Sequence, residues 1–197
     1  SANTNFPAVD ALTKVTSLNQ TWQGCSKGTN FPAVNTLTNV TDLSATWAHC
    51  VAALTFPQVN ALTKVTTLGS TWLECPAALS FPEINTLTNV TSLNNTWNGC
   101  SKATAFPSVQ SLTRVTTING AWSSAVAFTN TPDSIFGDYT GLTNLTTSAS
   151  AFSGCTAMSG VGSNFVNAVK HPSYTVCTAA TCSSYRTFYN CTNLSDW

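Results

Sequence analysis

The residue types able to do covalent or metal chemistry are eight Cys and two His in a chain of 197 residues. Six of the Cys fall in register: Cys25, Cys50, Cys75 and Cys100 stand 25 residues apart, and Cys155 and Cys191 close similar local patterns farther on. Each ends a run whose apolar residues recur at steps of three and four, as in Val40, Leu43, Trp47 and Cys50. That spacing predicts a small buried hydrophobe on the inner face of a short helix. Helices pack roughly 8–10 Å apart, so neighbouring Cys of this row exceed the roughly 7 Å Cα limit for a disulfide. Cys177 and Cys182 belong to no row and enclose only Thr178 to Thr181; a local disulfide and two free thiols both fit. A zinc site drawing on His171, Cys177 and Cys182 lacks a recognised spacing and a fourth ligand. His49 stands where other units carry Gly24, Glu74 and Gly99, which reads as an exposed helix end. The carboxylates Asp10, Asp42, Glu74, Glu83, Asp133, Asp138 and Asp196 are scattered without an acid/base pair, and no phosphate loop or nucleophile elbow occurs. The expectation is a protein without catalytic residues, cofactor or metal.

Composition excludes further classes. Charged residues make up 7% of the chain and balance to zero, whereas nucleic acid and anionic membrane surfaces select clustered Lys and Arg. No apolar run approaches the roughly 20 residues of a membrane-spanning helix, and no charged start followed by an apolar core marks a signal peptide. The N-x-Ser/Thr sequons at Asn19, Asn39, Asn89, Asn94, Asn144, Asn190 and Asn193 read as by-products of a Thr-rich repeat.

The elements that place these residues repeat with the same period. Phe-Pro pairs begin at Phe6, Phe31, Phe56, Phe81 and Phe106, and Trp stands at Trp22, Trp47, Trp72, Trp97 and Trp122. A fixed period of this length marks a solenoid, whose units bury their apolar sides only by stacking. Within a unit, Thr41 is placed to cap the helix that carries Val40, Leu43, Trp47 and Cys50. Ala53-Leu54-Thr55-Phe56 alternates and reads as a short strand ended by Pro57. Strands inside and helices outside a curved, right-handed leucine-rich-repeat solenoid of about seven coils is the fold expected for residues 1–197, taken as one domain. Regular repeats span 6–125; degenerate ones with insertions fill 126–197, where Phe152 with Cys155 and Phe188 with Cys191 mark a sixth and a seventh coil. Asn130-Thr131-Pro132-Asp133-Ser134 reads as an inserted turn.

Stacking turns columns into surfaces. Lys14, Asn39, Lys64, Asn89, Arg114 and Asn144 alternate base with amide, which keeps like charges nearly a Debye length apart. This reads as a solvated face or a binding stripe. Thr13, Thr38, Thr63, Thr88, Thr113 and Thr143 form one Thr row, and Thr16, Thr41, Thr66, Thr91, Thr116 and Thr146 another. Outward on a flat face they could match an ice lattice; as caps they would turn onto the backbone.

The pattern Phe-Pro-x-Val-x-x-Leu-Thr-x-Val-Thr-x-Leu-x-x-Thr-Trp-x-x-Cys resembles the BspA-type leucine-rich repeat of bacterial surface proteins, a form also seen in phage virion and tail proteins. The resemblance covers residues 6 to 125. It implies a non-catalytic structural or recognition protein displayed on a surface, phage virion first (capsid decoration or tail fibre) and bacterial cell-surface adhesin second, with ice binding as a reading of another class. A protein partner or second copy docking at an open solenoid end is the expected interaction, with a cell-surface ligand as a further candidate and no nucleic acid or membrane insertion. Phe165, His171, Tyr174, Tyr185 and Trp197, outside the regular repeat, are candidate contact residues; a cap over the last coil is the competing reading of this segment.

Overall fold

A computed structural model describes residues 4–130, 132–137, 142–161 and 186–195. Residues one period apart are neighbours in space. Trp22, Trp47, Trp72, Trp97 and Trp122 stack with ring centroids 5.3–6.0 Å apart and planes within 20°. Phe6, Phe31, Phe56, Phe81 and Phe106 form a second stack at 5.2–6.1 Å. Between the stacks the Trp and Phe planes cross at 55–74°, so each column braces the other edge to face. Pairs of these kinds contribute about 0.5–1.5 kcal/mol each beyond area burial. Phe152 and Phe188 continue the Trp stack at 4.9 and 5.2 Å, which places the sixth and seventh coils on the same core. Val34, Leu37, Val40 and Leu43 and their period mates fill the rest, and one apolar cluster runs from Leu18 to Leu194.

Among the described residues, the helix expected in each coil is not there. Val40, Leu43, Trp47 and Cys50 are all fully buried, but consecutive β-turns bring them inward. Thr46 N–H donates to Leu43 O, Ala48 to Ala45, and Cys50 to Trp47. Ala45 and His49 have φ of +52° and +60°, the signature of type II turns at their third residue. The intervening amides of Leu43, Ala45, Trp47 and His49 donate instead to Thr67, Gly69, Thr71 and Leu73 of the next coil. A helix would have directed all of these N–H groups back along its own chain and held coils at least roughly 8 Å apart. The ring spacing of 5.3–6.0 Å leaves no room for that. Apolar steps of three and four suit a chain of i to i+3 turns as well as a helix, so periodicity could not separate them. With similar spacing on the Trp and Phe sides, the geometric reason for curvature is also missing.

The parallel backbone ladder lies elsewhere than expected. Bridges join Ser17, Asp42, Thr67, Ser92, Thr117 and Thr147, in the Val-Thr-x-Leu segment, and Thr41 there receives no capping role: its N–H and hydroxyl both donate to Thr16 O. Ahead of the Phe, pairing is sparse, with Asn5 bridged to Asn30. It becomes a true two-stranded parallel sheet in the last coils, β1 (Ser159–Val161) with β2 (Asn193–Ser195).

The insertion after Phe128 contains a single helical turn, α1 (Pro132–Phe136), where a simple turn was expected. Pro suits a first helical position because its missing N–H has no partner there anyway. Asn130 ties the segment down, accepting from Phe106 N–H and donating to Ser134 Oγ. Phe136 then meets Trp122 and Phe152 edge to face at 5.9 and 6.1 Å, as Phe31 meets Trp22 and Trp47.

Two outcomes test this core. Trp72→Ala should lower stability by about 3–5 kcal/mol, and Trp72→Phe by less than half as much, since Phe already serves in this column at Phe152 and Phe188; urea unfolding followed by circular dichroism measures both. Equal losses would show that ring stacking is not the source. Ala45→Gly, at a left-handed position, should gain up to about 1 kcal/mol, whereas Ala48→Gly in the same ribbon should lose stability.

Candidate functional surfaces

The basic and amide column is a set of braces. Asn39 Nδ2 donates to Thr13 O of the preceding coil at 3.0 Å, and its Oδ1 accepts from Lys64 Nζ of the following coil at 2.7 Å. Asn89 does the same between Thr63 O and Arg114, and Asn144 donates to Thr113 O. Alternation of base and amide therefore builds bonds as well as separating charges. The amide nitrogens of the Asn39, Asn89 and Asn144 sequons are held in these bonds.

The two Thr rows behave differently. Thr41, Thr66, Thr91, Thr116 and Thr146 each donate their hydroxyl to the carbonyl of the Thr one coil earlier. That row is turned onto the backbone, although not as helix caps. Thr13, Thr38, Thr63, Thr88, Thr113 and Thr143 are exposed. A third row was not singled out from sequence: Thr46, Thr71 and Thr96 are fully buried, with hydroxyls donating to Leu18, Leu43 and Leu68 carbonyls. Its recurrence one residue before Trp22, Trp47, Trp72 and Trp97 was the available signal.

Among the described residues the thiols are free and buried, as the sequence suggested, and those of Cys50, Cys75, Cys100, Cys155 and Cys191 also make a bond that composition did not reveal. Cys50, Cys75 and Cys100 donate to the carbonyls of Trp22, Trp47 and Trp72 at 3.1 Å; Cys155 and Cys191 donate to Trp122 and Phe152 at 3.0 Å. Burial pushes the Cys50, Cys100 and Cys191 thiols up to about 12, and Cys75 and Cys155 well above the usual thiol range. Such thiols are poor nucleophiles and poor metal ligands.

His49 is part of a left-handed turn rather than a helix end, and its Nδ1 lies 3.0 Å from Glu74 Oε2 of the next coil. Among the described residues no three His, Cys, Asp or Glu converge on a metal-sized site. Phe165, His171, Tyr174, Cys177, Cys182, Tyr185 and Trp197 lie outside the described residues.

Exposed apolar residues are where sequence reasoning missed most. A strand over Ala53 to Phe56 would put Leu54 on the same face as Phe56, yet Leu54 is 50% exposed while Phe56 and Ala53 are buried. Val51, Leu79 and Val126 are also exposed. The signal was the column itself: Leu54 shares its row with Thr29, Thr104 and Thr129. At the start of the stack, Leu12 is 53% exposed, whereas Leu37 below it is fully buried; Ala11 to Val15 line an open hollow of about 410 Å³ there.

These features define a class, a parallel repeat solenoid of turns around two aromatic stacks. No protein-family model and no curated protein matches the chain. Among solved structures it is similar to a leucine-rich repeat protein from Bacteroides ovatus ATCC 8483, at 20% identity and a TM-score of 0.46, over 73% of this chain and 34% of that one. The chain thus spans about a third of that protein, and a likeness so distant carries nothing about activity or partners.

The thiol column makes stability depend on alkaline pH. Thiols at about 12 when folded and at about 8.5 when unfolded favour the folded state fully below the unfolded value, and that contribution is lost as pH rises between the two. Unfolding midpoints should fall between about pH 9 and 12, and less steeply in Cys50→Ser/Cys75→Ser/Cys100→Ser, whose hydroxyls keep the carbonyl bonds without titrating there. An identical slope in the variant would assign the effect to other groups.

Proposed function

We propose that this chain is a leucine-rich-repeat module without enzymatic activity, serving as a structural or recognition element displayed on a surface, most simply on a phage virion and alternatively on a bacterial cell as an adhesin. The observation that carries the reading is the disposition of reactive groups. The thiols and the inner Thr hydroxyls are buried against backbone carbonyls, and the basic column is engaged by its amides. What remains outside is a periodic, nearly uncharged face. Such a face supports fixed placement in an assembly, where solubility as a free particle matters less. The preference for a virion rests on the likeness of the repeat pattern and on this low charge.

The turning of the Thr41 row onto the backbone weighs against ice binding and leaves the Thr38 row as its one support. Mass spectrometry of particles and envelopes from the native source decides among these readings. Copurification with capsid and tail proteins is expected; enrichment with cell envelope selects the adhesin. Absence from both, with shaping of growing ice crystals by the purified chain, would overturn the proposal.

A further inference from the structure

Two consecutive coils break the polar character of the outer loop between the Cys and the Phe. In the columns that hold Ser26, Lys27 and Thr29 in the first coil and Ser101, Lys102 and Thr104 in the fourth, the second coil carries Val51, Ala52 and Leu54, and the third Pro76, Ala77 and Leu79. All six apolar residues reach the surface: Val51, Leu54 and Leu79 are 44%, 50% and 54% exposed, and Ala52, Pro76 and Ala77 are half-buried. Leu79 N–H donates to Leu54 O at 2.9 Å, which sets the two leucines side by side in register. The result is one continuous apolar patch, two coils wide.

Its two ends along the stack are basic. Lys27 lies one coil before the patch and Lys102 one coil after it, in the same column as Ala52 and Ala77. Both are exposed, and among the described residues the single ion pair is His49 with Glu74. Neither lysine is therefore neutralised within the described chain. An apolar patch with an uncompensated lysine at each end is a recognition surface with a stated sign along the stack.

We propose that this patch binds an extended segment of another protein in which two apolar side chains are flanked by acidic residues, lying along the solenoid axis. Three coil steps of 5.7, 6.0 and 5.9 Å separate the lysine-bearing coils, about 18 Å, which extended chain covers in five to six residue steps of roughly 3.3 Å each. Side chains of an extended segment share a face at every second residue. The fitting pattern is acid-x-apolar-x-apolar-x-acid, whose two outer carboxylates fall within the reach of the flexible lysines while the two apolar side chains cover Leu54 and Leu79. A second copy of this chain is a worse occupant. Parallel or antiparallel, pairing two such patches centre to centre places lysine against lysine.

The inference does not depend on where the protein is displayed, so copurification and the following titration can fail separately. The probe is the peptide Glu-Ser-Leu-Ser-Leu-Ser-Glu with blocked ends, added at low salt to the isotopically labelled full chain and followed by amide chemical shifts. Saturable shifts are expected at Val51–Leu54 and Cys75–Leu79. Affinity should fall about tenfold or more in Leu54→Gln/Leu79→Gln and in Lys27→Glu/Lys102→Glu, substitutions at exposed sites whose fold is checked by unchanged shifts elsewhere. The second variant should instead bind the peptide with Lys at both ends. Absence of shifts at millimolar peptide, shifts centred elsewhere, or equal binding of the Lys-ended peptide by the unaltered chain would overturn the proposal. So would self-association abolished by Leu54→Gln/Leu79→Gln, which would assign the patch to a second copy.

Discussion

The structure depends on one constraint: every coil passes alternate backbone N–H groups to its neighbour along the stack while still turning back on itself. In the segment from Leu43 to His49, each second amide donates onward to the next coil, and those between close turns within their own. Bonds along the stack fix neighbouring coils at about one strand spacing, and that spacing selects side chains that can lie on copies of themselves. Flat rings do so well, and Trp and Phe accordingly occupy two whole columns. The turns in turn require left-handed residues at fixed places. Gln20, Ala45, Ser70 and Asn95 accept that conformation at one of them, Gly24 and Gly99 at another. The unfavourable conformation of an Ala or a Ser there is offset by the bonds that its coil makes on both sides.

Parallel stacking also leaves carbonyls with spare lone pairs deep in the interior, and the recurring polar residues are matched to them. The hydroxyl of Thr71 and the thiol of Cys75 reach back to the Leu43 and Trp47 carbonyls of the preceding coil, as Asn39 does at the surface for Thr13. Each is short enough to bond one coil away without disturbing the stack. The indole N–H groups of Trp47, Trp72, Trp97 and Trp122 are the exception, buried with no hydrogen-bond partner. Their surroundings are Phe rings crossed at steep angles, which give an N–H only a weak π contact. Stacking area outweighs that cost in the regular coils, and in the frayed ones Phe152 and Phe188 avoid it.

Column membership was legible in the sequence because it follows from period alone: Trp over Trp, Cys over Cys, and Phe152 and Phe188 as late members of the Trp column. Local conformation was not. Leu43, Trp47 and Cys50 obey a helical spacing, and only the left-handed φ of Ala45 and His49 separates turns from helix. Ala and His at these sites carry no such signal, whereas Gly24 and Gly99 carry a faint one. The surface was misread for a related reason. Strand alternation sets Leu54 on the face of Phe56, but the turn from Cys50 to Ala53 makes Ala53 the buried member. Comparison down the column, with Thr29 and Thr104, would have corrected it.

In a fold where repetition does the structural work, a departure from a column is either absorbed or exposed, and burial tells which. Phe128 departs from the small residues Ala53, Ala78 and Ala103, yet it is fully buried and packs edge to face on Phe106 at 5.1 Å and flat on Phe152 at 6.1 Å. It fills volume where α1 interrupts the coil, and the stack accounts for it. Val51, Leu54, Pro76 and Leu79 depart in the opposite direction, from polar to apolar, and remain at the surface. No interior volume is filled by Leu54 and Leu79, and replacing the Thr of Thr29 and Thr104 by leucine exposes more apolar area to water. Packing among the described residues gives no reason for this pair of substitutions in adjacent coils, and a covering partner of the kind proposed, with charge opposite to the two lysines, would supply one.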